Sequence, residues 1–141
     1  MRLWHQKLIS SLDRQRLLGQ HRECCALRGK GWGKKHSVVD YAFTYSPAHL
    51  YAYHKLIMDE MRDRGYHPDE RWENISYRGT TLGYDNEWSE YENYGIRLYN
   101  SATQNPDFMI YNEHNSAYLK ECLDNLAEKG IVLEVKEWQE Q

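Results

Sequence analysis

Glu23 is the only acid between Asp13 and Asp40 in this chain of 141 residues. Around it stand Arg16, Arg22, Arg28, Lys30, Lys34, Lys35 and His36. Such a field holds a carboxylate as an anion, yet the carboxylate repels the phosphates that the cations attract. Binding alone gains nothing from it. The arrangement points to chemistry, either stabilising a sugar cation or moving a proton. The plainer alternative is a helical ion pair with Arg16 or a neighbour. Gly19 is a second anomaly, because glycine inside a helix costs about 0.5–1 kcal/mol relative to alanine. It shares a stripe with Gln15 and Arg22, where a small residue admits a ligand or lets the N-terminal segment pack tightly across the helix. Residues 28–36, RGKGWGKKH, form a basic, flexible, glycine-rich segment with one aromatic. Amides and cations there suit phosphate contacts, although no phosphate-loop motif is matched. A solvated loop is the alternative.

No metal and no cofactor are expected. His21-x-x-Cys24-Cys25 has poor ligand spacing and falls on the apolar side of its helix, and no CxxC pair exists. His49 and His54 do not share a helix face. Nucleophile-elbow, zinc-protease and dinucleotide fingerprints are absent from the sequence. Three cysteines, an odd number, and an N-terminus without an apolar leader read as a reduced, cytoplasmic chain. No apolar run is long enough for a membrane span.

Three helices must position these residues. The first runs from about Ser11 to Arg28, capped by Ser10 or Ser11 and closed by Gly29. At about 100° per residue, Leu17, Leu18, His21, Cys24 and Cys25 fall on one broad side. Gln15, Gly19, Arg22 and Ala26 fall on the other, flanked by Arg16 and Glu23. The second helix starts at Ser46-Pro47, carries Leu50, Tyr53, Ile57 and Met61 inward, and stops at Gly65. The third lies near residues 116–129, with Leu119, Cys122, Leu123 and Leu126 inward and Gly130 as its stop. Residues 131–135 read as a short extended piece or packed tail. Residues 37–45 could be extended. Residues 66–105 lack strong periodicity and read as loops and turns stapled by aromatics. Those aromatics serve as core or as stacking surfaces for bases. The expected fold is mainly α: a compact three-helix single domain, residues 1–141, with long aromatic-rich loops.

The net charge of -3 conceals an asymmetry. Residues 1–36 carry nine Lys/Arg against two acids, a balance of +7. Residues 37–141 carry nine against nineteen, a balance of -10. A basic segment set against an acidic remainder points to a polyanionic partner, or to a dipolar solvated surface.

The run LDRQRLLGQHRE over residues 12–23, followed by the loop ending Lys34-Lys35-His36, resembles the pyrimidine dimer DNA glycosylase family. The likeness continues through Tyr45-Ser46-Pro47 and the helix ending Arg62-Asp63-Arg64-Gly65-Tyr66, about the first half of the chain. It implies a compact, mainly helical, monomeric enzyme acting on double-stranded DNA. Such an enzyme excises a damaged pyrimidine and nicks the abasic site, kinking the duplex and flipping bases. The resemblance makes the α-amine of the first residue, here Met1, the nucleophile that forms a Schiff base with sugar C1′. Glu23 matches the family glutamate, Arg22 the arginine before it, Gln15 a site-shaping glutamine, and Arg2 an arginine following the nucleophile. Arg2, Gln15, Arg16, Arg22, Arg28, Lys30, Lys34, Lys35 and His36 are therefore the expected DNA-binding set. The sequence departs from the family at three places. Arg2 is too bulky to allow removal of Met1, Ala26 replaces an arginine, and Arg16 replaces a histidine. A different lesion or a modified base is thereby admitted as substrate. Two other readings fit the residues: a non-catalytic nucleic-acid module of the same fold, and a small-molecule enzyme built on the aromatic second half.

Overall fold

The computed structural model describes residues 2–133. It is mainly α, and among the described residues there is no strand, only an isolated antiparallel bridge between Tyr77 and Tyr84. Among the described residues, five α-helices occur in chain order: α1 Arg14–Arg28, α2 Pro47–Asp63, α3 Gly79–Leu82, α4 Glu92–Gln104 and α5 Ser116–Glu128. Four short 3-10 helices lie between and before them, at Gln6–Ser11, Asp40–Thr44, Glu70–Glu73 and Trp88–Tyr91.

The central element is α2. Ser46 caps it by accepting a hydrogen bond from the Ala48 amide at 3.3 Å, and Pro47 occupies the first helical position. Leu50, Tyr53, Ile57 and Met61 are buried as expected, but so are Tyr51, His54 and Met58. The helix is covered nearly all round because α1 packs on one side and α4 on another. One apolar cluster runs from Leu3, Leu8 and Leu12 through α1 and α2 to Cys122 and Leu126 of α5.

Three expectations change. The first helix starts at Arg14 rather than Ser11, because Gln6–Ser11 forms its own 3-10 helix and the chain is extended at Leu12 and Asp13. Residues 40–44 are a 3-10 helix rather than extended. Residues 66–105, read as loops, contain α4. Its buried face is Gly95, Leu98 and Ala102, so Leu98 alone supplies a large buried apolar residue and a glycine stands where a core residue is expected. Gly95 is essential to that contact, since a Cβ there would lie 2.7 Å from Cδ2 of Tyr51 on α2. α5 is capped by Asn115, which accepts from the Tyr118 amide at 2.9 Å, and ends before Gly130 at φ 82°. Residues 131–133 have no regular structure, and the rest of the expected tail lies outside the described residues. The aromatics of the second half are chiefly core: Trp72, Tyr77, Trp88 and Tyr111 are buried.

Candidate active site

The N-terminal segment crosses α1 in extended form, and a buried glutamine fastens it there. Gln20 gives one amide proton to the Arg2 carbonyl at 2.9 Å and the other to Glu23 Oε2 at 3.1 Å. Its own carbonyl accepts from the Trp4 amide at 2.6 Å. Carbonyls and carboxylates only accept and amides only donate, so the orientation of the Gln20 side chain is fixed by its partners. The Tyr53 hydroxyl, from α2, shares its one proton between the Trp4 carbonyl at 2.6 Å and Gln20 Oε1 at 2.9 Å. Glu23 is half-buried at the edge of this network. Burial raises its pKa above the usual carboxylate value, while hydrogen bonds from the Arg2 backbone and from Gln20 hold it back. The charge on His36 pulls the same way as those bonds. The carboxylate is thus a stronger base than an exposed glutamate and sits against the backbone of the second residue.

The expected residues divide into exposed ones and those engaged elsewhere. Arg22 is exposed, and a Cβ at Gly19 would meet only Arg22 Nη2, at 3.6 Å. Among the described residues, the N-terminal segment does not press on Gly19; Arg2 and Trp4 are held at Gln20 instead. Gln15 is exposed and accepts from Arg16 Nη1 at 3.1 Å. Arg16 also pairs with Asp13 at 3.4 Å, so the ion pair imagined between Arg16 and Glu23 is replaced by Asp13. Arg2 turns its guanidinium to Glu121 of α5 at 3.3 Å and lies over the Trp4 ring. Lys30, Lys34, Lys35 and His36 are exposed. Their loop is less free than its glycines suggest. Gly31 donates to the Ala26 carbonyl at 2.9 Å, where a Cβ would come within 2.7 Å of that oxygen. Trp32 anchors the loop edge-on against Phe43 and Trp88, and the His36 amide closes it on Asp40 at 2.6 Å. Met1 lies outside the described residues.

Arg28 is a correction. It is 0% exposed and binds no external phosphate from there. Its guanidinium donates to the carbonyls of Trp72 at 2.8 Å, Asn74 at 2.9 Å and Tyr77 at 3.3 Å, and approaches His54 Nδ1 at 2.9 Å. Burial lowers its pKa to about 10, which leaves it charged at neutral pH. Arg78 returns the contact by donating to the carbonyls of Arg28 at 2.8 Å and Gly29 at 3.1 Å. Gln20 is the site residue that sequence reasoning missed. The signal was present in the helix phase: Leu17, Gln20, Cys24, Leu27 and Arg28 recur at intervals of three, four and one, and all are buried.

A family model described as pyrimidine dimer DNA glycosylase matches residues 1–74. No curated protein and no solved structure matches the chain. The matched span contains α1, α2, the basic loop, Gln20 and Glu23.

Proposed function

The chain belongs to the pyrimidine dimer DNA glycosylase family, and from that premise we propose that it excises a damaged or modified pyrimidine from duplex DNA and then cleaves the abasic strand. The α-amine of Met1 attacks sugar C1′ as a neutral nucleophile, and the base leaves with the electron pair of the glycosidic bond. The attached amine gives one proton to the departing base, and the sugar ring opens as its oxygen takes a proton from solvent, leaving a protonated Schiff base at C1′. Glu23 then takes a proton from C2′, and the 3′ phosphate leaves as the C2′–C3′ double bond forms. An α-amine has a reference pKa of about 7.7–8.0, so a useful fraction is neutral at physiological pH. One observation carries this reading: Gln20 donates both to Glu23 and to the Arg2 carbonyl, which holds the raised carboxylate beside the backbone of the second residue. The residue covalently joined to Arg2 has its Cα only about 3.8 Å from that of Arg2. The exposed cations Arg22, Lys30, Lys34, Lys35 and His36 are the phosphate contacts of this reading.

Borohydride reduction in the presence of an abasic or lesion-bearing duplex tests it. The expected product is a covalent adduct whose mass maps to residue 1, and an N-terminal extension should prevent it. Glu23→Gln should keep DNA binding and lose strand cleavage by about 100-fold or more. Absence of any adduct from a chain with a verified free Met1 amine overturns the mechanism. Salt-dependent binding without cleavage by the native chain would instead favour the non-catalytic module.

A further inference from the structure

Three donor atoms meet between α1 and α2, away from Glu23. His21 and Cys25 stand four residues apart on one face of α1, and His54 faces them from α2. At about 100° per residue this face is nearly opposite Glu23. His21 Nδ1 lies 2.8 Å from His54 Nε2, and Cys25 Sγ lies 3.9 Å from each of those nitrogens. All three side chains offer ligand atoms within 4.8 Å of one another. An ion bonded to nitrogen at about 2.0–2.1 Å and sulfur at about 2.3 Å requires N–S edges of about 3.6–3.8 Å and an N–N edge of about 3.4–3.6 Å. The sulfur edges already lie close to that range. The main change needed is for the two rings to part, by about 0.6–0.8 Å on the same arithmetic.

The surroundings supply an approach and a wall. Cys25 lines a hollow of about 410 Å³ together with Asp69, Arg71 and Thr80, which leaves room for a water or a carboxylate as a further ligand. Met58, Trp72 and Tyr77 form the apolar cluster against which Cys25 packs. We propose that His21, Cys25 and His54 bind a thiophilic transition-metal ion, Zn²⁺ or Cu⁺, which ties α1 to α2 behind the face that carries Glu23. Thiolate and imidazole suit both ions, whereas Mg²⁺ and Ca²⁺ require oxygen donors. Sequence spacing excluded a metal because it considered His21 with its chain neighbours; the third ligand comes from another helix.

Arg28 shapes this site. It can only donate, so His54 Nδ1 accepts from it, and a neutral His54 carries its proton on Nε2. The usual partner of a metal-bound histidine is an acceptor, so this arrangement is reversed. An ion binding at His54 Nε2 displaces that proton to solvent, as it displaces the Cys25 thiol proton. The resulting imidazolate is steadied by Arg28. Thiolate and imidazolate together cancel a divalent charge.

The full chain, stripped of metal under reducing conditions, is titrated with Zn²⁺ and, without oxygen, with Cu⁺, each against a competing chelator. Co²⁺ serves as the spectroscopic probe. One ion per chain is expected, with a thiolate-to-cobalt charge-transfer band and a higher unfolding temperature in the loaded state; Mg²⁺ should give neither. The tighter of the two titrations identifies the preferred ion. Cys25→Ser should abolish the band and weaken binding at least about tenfold, while Cys24→Ala keeps both. Should Cys25→Ser fail to fold by circular dichroism, His21→Gln provides the same test from a half-buried position. No stoichiometric binding of either ion, or binding that these two variants leave unchanged, overturns the site and leaves a hydrogen-bonded core cluster. None of these readouts depends on DNA chemistry, so the proposal fails or stands apart from the glycosylase mechanism.

Discussion

At the scale of single residues, Gln20 and Glu23 behave as one unit. Glu23 draws notice in the sequence because a lone acid among cations is an electrostatic anomaly. Gln20 does not, because its partners Trp4 and Tyr53 are distant in the chain and a glutamine's identity says nothing about which amide it will meet. Arg28 was misread for a related reason: charge type suggested the surface, while helix phase placed it inside. Glu23 also has a measurable cost. Its folded pKa is raised by burial above the unfolded value. Its contribution to stability is therefore fully present below the ordinary carboxylate range and is lost as pH rises through the raised pKa. Glu23→Gln should stabilise the fold at pH 7.5 and be neutral near pH 3, as read from denaturant midpoints. Half-exposure and solvent screening keep the gain below about 1 kcal/mol.

At the scale of elements, two glycines respond oppositely to the same change. Gly95 lets α4 approach α2, and Gly95→Ala drives a methyl group into Tyr51. It should cost about 1–3 kcal/mol, the usual penalty of overpacking. Among the described residues, a Cβ at Gly19 on α1 would meet nothing closer than Arg22 Nη2 at 3.6 Å. Gly19→Ala should stabilise by about 0.5–1 kcal/mol, and urea unfolding of the two variants beside the native chain checks both signs. α2 and α5 were legible because cap, apolar period and glycine stop all agree in the sequence. α4 escaped because Gly95, which makes its closest approach to α2, counts in sequence as a helix breaker rather than as a contact residue.

At the scale of the whole molecule, a basic N-terminal quarter is set against an acidic remainder. The exposed lysines of the loop should govern the salt dependence of DNA binding. Changing Lys30, Lys34 and Lys35 together to alanine should make the slope of log K against log salt shallower by up to about 2.7, at about 0.9 per phosphate contact. Fluorescence anisotropy with a duplex over a range of salt concentrations measures it, and an unchanged slope would place the phosphates elsewhere. The two parts are not independent, because Arg28 grips carbonyls at 72, 74 and 77 while Arg78 grips those at 28 and 29. The root of the basic loop is thereby set by residues on both sides of position 74, where the family likeness stops. Sequence drift beyond that boundary can thus retune how the loop is presented without altering a single residue of the matched half. Loss-of-function variants in a genetic screen should map on both sides of it.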